Sequence, residues 1–191
     1  SDYSYSVYSL ALCGGTIVAG TYDGIYRSED NGENWSRVSS YSPLDGLRVR
    51  SLAVSDDHVY AGTTNGVYCS GNNGTIWEAT KGCISITNAQ QLAAAGNRLF
   101  CVSDHRLYFS QDFGNTWKAF DDDVNDAKVF SMEVNEERLF AGTDEGVCVY
   151  TFADSSWNSA IVKGKAADNP WGEEFLKNMG GSTTPYRPLS V

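Results

Sequence analysis

An eight-residue stretch recurs along this chain at a nearly constant interval. Ser28-Glu29-Asp30-Asn31-Gly32-Glu33-Asn34-Trp35 returns as Ser70-Gly71-Asn72-Asn73-Gly74-Thr75-Ile76-Trp77 and again as Ser110-Gln111-Asp112-Phe113-Gly114-Asn115-Thr116-Trp117. A worn copy ends at Trp157, and the four tryptophans stand 42, 40 and 40 residues apart. A fixed period of this size marks one supersecondary unit used repeatedly, each copy burying its apolar faces against its neighbours.

Aligning the tryptophans brings the remainder into register. Ser9-Leu10-Ala11-Leu12, Ser51-Leu52-Ala53-Val54, Gln91-Leu92-Ala93-Ala94 and Ser131-Met132-Glu133-Val134 open the units. Ala19-Gly20-Thr21, Ala61-Gly62-Thr63, Cys101-Val102-Ser103 and Ala141-Gly142-Thr143 follow. Asp23-Gly24, Asn65-Gly66 and Glu145-Gly146 then supply residues that tolerate the positive φ of tight hairpins. Each unit reads as four short strands, the blade of a β-propeller. The expected fold is all-β: a four-bladed propeller over residues 1–163, with blades at about 5–46, 47–87, 88–127 and 128–163. A closed ring is the first expectation; an arc completed by another chain, or a fragment of a larger propeller, is the second. Alternation along the first strand of each unit places Ser9, Ala11 and their counterparts at a crowded axis, and Leu10, Leu52, Leu92 and Met132 between blades.

The box residues are expected to be structural. Gly32, Gly74 and Gly114 permit a turn that a Cβ opposes. Asp30, Asn72 and Asp112 accept backbone N–H groups across that turn, and Ser28, Ser70 and Ser110 close it. Trp35, Trp77 and Trp117 begin the fourth strand and wedge between sheets, and Trp157 closes the worn copy. A catalytic centre is needed once; these residues recur in every unit. The Ser-x-Asp-x-Gly-x-Thr-Trp pattern resembles the Asp-box, or BNR, repeat. The longer pattern, which continues back through Gly-Ile/Val-Tyr and Gly-Thr, is similar to repeats of photosystem II stability/assembly factors, Vps10/sortilin-type receptors, xyloglucan-degrading glycosidases and sialidases. That resemblance covers about Tyr5 to Trp157 and implies the repeat fold; function has to be argued from a site.

Enzymatic readings find little support. The sialidase resemblance implies an arginine cluster drawn from different blades. Arg48 and Arg50 precede the second unit's inner strand, but their counterparts are Ser6 and Tyr8, Asn88 and Gln90, and Lys128 and Phe130. Glycoside hydrolysis needs two facing carboxylates, and Glu133 has none at the matching positions of other units. Asp121-Asp122-Asp123 reads as a solvated loop. His58 and His105 sit in turns of different units. No cofactor or metal site is expected. Five cysteines form no metal-ligand or CxxC spacing and read as small apolar side chains. A formal net charge of −10 without a basic cluster disfavours nucleic acid. No apolar run approaches the roughly 20 residues of a membrane span, so no direct membrane insertion is expected. The chain begins with Ser1 rather than methionine, as expected of a processed form, and its compartment is left open.

After Trp157 the repeat stops. Asn169-Pro170 reads as a helix start and Gly180-Gly181 as its end. Trp171, Phe175, Leu176 and Met179 fall on one face, which either covers the propeller or docks a partner. The chain is expected to be a non-catalytic propeller scaffold, an accessory or assembly subunit contacting protein partners through this tail and a propeller face. A lectin-like glycan binder, using exposed aromatics such as Tyr22 or Phe113, is the alternative, and a glycoside hydrolase-like enzyme the third choice.

Overall fold

The computed structural model describes residues 6–39, 41–82, 86–120, 128–144 and 146–153, and the backbone of 156–160. The tail with Trp171, Phe175, Leu176 and Met179 lies outside these residues, as do Cys83 and Asp121-Asp122-Asp123. Among the described residues the fold is all-β.

Four antiparallel meanders follow one another. β1 (Val7–Cys13), β2 (Thr16–Thr21), β3 (Gly24–Ser28) and β4 (Ser36–Arg37) form the first sheet; β5 (Val49–Ser55), β6 (His58–Thr63), β7 (Gly66–Ser70) and β8 (Glu78–Ala79) form the second. β9 (Ala89–Ala95), β10 (Arg98–Ser103), β11 (Arg106–Ser110) and β12 (Lys118–Ala119) make the third; β13 (Val129–Val134), β14 (Arg138–Thr143), β15 (Gly146–Thr151) and β16 (Ser156–Ala160) make the fourth. These are four propeller blades. The outer strand is two residues long where the box is intact and five where it is worn, and there Trp157 pairs in register with Tyr150.

Each blade has a front and a back, and the back of one packs on the front of the next. Cys13, Val18 and Ile25 on the back of blade one meet Val49, Leu52, Val59, Ala61, Tyr68 and Trp77 on the front of blade two. Val67 on the back of blade two meets Ala89, Leu92, Cys101, Tyr108 and Trp117 on blade three. Phe100, Val102 and Leu107 on the back of blade three meet Val129, Met132, Leu139, Ala141 and Tyr150 on blade four. Blade contacts also recruit polar atoms: Arg27 Nε donates to the Asn73 carbonyl at 2.8 Å, Ser55 Oγ to the Gly96 carbonyl at 2.9 Å, and Arg98 Nη1 to the Glu136 carbonyl at 3.0 Å.

The small residues of the inner strands also line these seams, a departure from the axis-facing placement expected from alternation. A Cβ on Gly20 would stand 2.5 Å from Ser9 Oγ and 2.7 Å from Val49 Cγ1; one on Gly62 would stand 2.4 Å from Ser51 Oγ. The serine and the following blade's inner strand fill the space above glycine, so strands approach closely only if that residue has no side chain. Glu133, the counterpart of Ala11 in that alternation, is exposed, as a solvated charge would be.

Candidate functional site

The intact boxes share one hydrogen-bond pattern. Ser28, Ser70 and Ser110 donate to Oδ1 of Asp30, Asn72 and Asp112 at 2.8 Å each, and accept from the amides of Gly32, Gly74 and Gly114 at 2.8, 3.0 and 2.9 Å. The same Oδ1 accepts the amides of Asn34, Ile76 and Thr116 at 2.9, 2.8 and 2.8 Å. Asp30 also receives the Asn34 side-chain amide, and these bonds hold its carboxyl at about 2, below the ordinary 3.8. Asp112 is lowered in the same way, first by the Thr116 hydroxyl and then by its amide. Charge is spent on closing the turns.

The tryptophans diverge around this shared pattern. Trp35 and Trp77 donate Nε1–H to the carbonyls of Gly32 and Gly74 at 3.0 and 2.9 Å, whereas the buried Nε1 of Trp117 has no acceptor among the described residues. The residue before each box glycine is left-handed: Asn31 at φ 58°, Asn73 at 54° and Phe113 at 58°. Asparagine tolerates that region; phenylalanine is strained there. Phe113 is 45% exposed and sits beside His58, ring centroids 6.2 Å apart. The two rings, with Asn72, Ile76, Glu78 and Lys81, border an open groove of about 490 Å³.

A second concentration of unspent chemistry lies where the inner strands begin. Every inner strand carries a bulge at one equivalent residue, so the register skips Tyr8, Arg50, Gln90 and Phe130. Bulges re-aim side chains and recur beside binding sites. The four positions share a backbone device but no chemistry, in contrast to the repeated serines, leucines and glycines around them. Arg50 lies within β5 rather than ahead of it; among the described residues its buried Nε and the buried Oε1 of Gln90 have no hydrogen-bond partner. Arg48, one step before β5, lies 4.6 Å from the Tyr22 ring centroid and 5.8 Å from that of Tyr8. His105 meets Phe130 edge-on at 5.4 Å, and the turn that presents it places Asp104 and His105 at φ 49° and 66°. Two successive non-glycine residues in this region store strain of roughly 1–3 kcal/mol each, a recurrent property of binding sites.

This surface can present a fixed guanidinium, hydrogen-bonding groups and aromatic edges to an incoming chain. Reading box by box overlooks it, because its members stand where the repeat units disagree. Among the described residues no group of three or more His, Cys, Asp or Glu side chains is placed to hold a metal ion.

A family model described as the DUF6242 beta propeller domain matches residues 6–169. No curated protein matches significantly. Among solved structures, YCF48 from Cyanidioschyzon merolae is similar at TM-score 0.63 and 13% identity over 83% of this chain and 57% of that one. A structure of YCF48 bound to D1 peptide is similar at TM-score 0.54 and 10% identity, over 82% and 69% of the two chains. An ancestral GH74 enzyme is similar at TM-score 0.67 and 16% identity, over 83% of this chain and 26% of that one. This chain therefore spans little more than half of the first relative and about a quarter of the enzyme. At these identities the likeness is one of fold.

Proposed function

The chain belongs to the DUF6242 β-propeller domain family, and we propose that it is a non-catalytic scaffold holding a protein partner on the end where its inner strands begin. The observation that carries this reading is Arg48. It lies against two partly exposed tyrosines, and no carboxylate pairs with it among the described residues. Arginine and tyrosine are the residue types that dominate protein interfaces, and a guanidinium already held over aromatic rings loses little freedom on binding. The bulged Arg50 and Gln90, at equivalent positions of adjacent blades, favour a chain with backbone or side-chain hydrogen-bonding groups. The peptide carried by one YCF48 structure supports the same use of a related fold.

In this reading the boxes are Asp-box repeats that build the blades, supported by their common Ser-Asp/Asn-Gly bonding, and the tail from residue 168 onward adds a second contact as part of a larger assembly. The test is affinity capture with the whole chain, the Arg48→Ala variant and a deletion of residues 168–191. Loss of one partner in the first variant supports the face; loss in the second supports the tail. Unchanged capture by both contradicts the proposal.

Phe113 favours a second reading, a glycan-binding groove. A strained, exposed aromatic over a polar-sided cleft is a stacking platform for sugar rings. Tyr22 is a weaker platform because Arg48 lies over its ring. A glycan array that lights up with the wild type and not with Phe113→Ala selects this reading over the first.

A further inference from the structure

The front of blade one has the chemistry of a buried seam and no seam partner among the described residues. Its residues can be compared position by position with the front of blade two. Val7 is 55% exposed where Val49 is 0%; Trp35 is 42% exposed where Trp77 is 3%. Leu10 is 63% exposed, while its counterpart Leu52 packs into the first core cluster. Leu12 adds a further 68%-exposed side chain. Val7, Leu10, Ala19, Tyr26 and Trp35 line one apolar hollow of about 440 Å³.

The back of blade four is open at the complementary position. Val147 is half-buried, whereas the residues at its place in the other blades, Ile25, Val67 and Leu107, are 2%, 0% and 3% exposed. At each internal seam that residue shares a cluster with the leucine or methionine of the following inner strand: Ile25 with Leu52, Val67 with Leu92, and Leu107 with Met132. By the same register, Leu10 is matched to Val147.

We propose that two copies of this chain join head to tail, the front of blade one in each seated on the back of blade four in the other. The result is a twofold-symmetric ring of eight blades. Three observations favour a second copy over other occupants. Each copy carries both halves of the seam, as a head-to-tail contact requires. The last inner strand, β13, packs beside β9 and makes no comparable contact with β1. The exposed Val7, Leu10 and Trp35 stand where Val49, Leu52 and Trp77 receive a preceding blade, so the face fits the back of a blade rather than an unrelated surface. Glu133 also lies on the back of blade four, across the register from Phe140, and each copy has a formal net charge of −10, so added salt strengthens the contact by screening repulsion.

Analytical ultracentrifugation of the whole chain is expected to give twice the monomer mass, more so at higher salt, with Leu10→Glu and Val147→Glu each shifting it to monomer. Both positions are exposed or half-exposed, so the blades survive these changes. Two differently tagged copies, one with Leu10→Cys and one with Val147→Cys, are expected to form a disulfide-linked heterodimer when oxidised. A chain carrying both changes that links within itself shows a ring closed by one copy and overturns the proposal. A monomeric wild type whose Leu10→Cys thiol resists labelling places another segment of the chain on the face and overturns it equally. So does a monomer whose thiol labels freely, or an open-ended polymer.

Discussion

Trp35 and Trp77 make the same hydrogen bond in opposite surroundings. Each indole N–H reaches the carbonyl of its box glycine, at 3.0 and 2.9 Å, yet Trp77 is 3% exposed and Trp35 42%. The difference is what lies in front: blade one covers Trp77, and a Cβ at the neighbouring Gly74 would come within 3.1 Å of Val18. Trp77→Ala therefore leaves a cavity within a seam and is expected to cost about 3–5 kcal/mol. Trp35→Ala is expected to cost under about 1 kcal/mol in the folding of the isolated chain. Urea unfolding of both variants, followed by far-UV circular dichroism, measures the contrast.

Box serines act where no water can replace them. Ser70 is 1% exposed and serves both Asn72 Oδ1 and the Gly74 amide. Ser70→Ala leaves a buried amide without its acceptor and is expected to destabilise by about 1–3 kcal/mol. Ser70→Thr tests whether the hydroxyl alone suffices. Midpoints of chemical unfolding give both values.

Blade two carries its own control for acid sensitivity. Asn72 holds the turn with an amide oxygen where Asp30 and Asp112 use carboxylates. Both carboxyls are depressed in the folded chain, Asp30 to about 2, so their stabilisation is present above pH 4. It is lost as pH falls through the folded values. Asp30→Asn with Asp112→Asn is expected to flatten the loss of melting temperature between pH 4 and pH 2, while leaving pH 7 stability lower or unchanged. A wild-type melting temperature that is flat across the same range contradicts this account.

Phe113 holds a conformation that asparagine adopts at the matching positions of blades one and two. Phe113→Asn is expected to raise stability by roughly 0.5–1 kcal/mol by relieving the left-handed strain. If the groove binds a ligand, the same change removes binding while the melting temperature rises. Such a divergence between stability and binding would mark Phe113 as retained for function.

Much of the fold was legible because a propeller repeats its instructions. The tryptophan spacing locates four blades, and the box composition anticipates which side chains close each turn. What the sequence did not display is relational. Two inner-strand residues of opposite parity, such as Ser51 and Leu52, both face seams, because an internal blade is covered on both sides. The bulges at Tyr8, Arg50, Gln90 and Phe130 leave no local signature; their positions emerge from which pairs the register skips. The end face was therefore visible only as a place where aligned units fail to agree. Arg48 and Arg50 stand out in the sequence as an incomplete arginine cluster, while Tyr8 and Tyr22 become neighbours of Arg48 only through the folded turns.

The most direct measurement places a photo-crosslinking amino acid at position 22, beside Arg48, and in a second protein at position 56, in the exposed turn at the opposite end of β5. Both proteins are irradiated in extracts of the source cells, with and without Arg48→Ala. The scaffold account predicts one dominant protein adduct at position 22, absent at 56 and lost with Arg48→Ala. Equal labelling at both ends, or an adduct indifferent to Arg48, would contradict it.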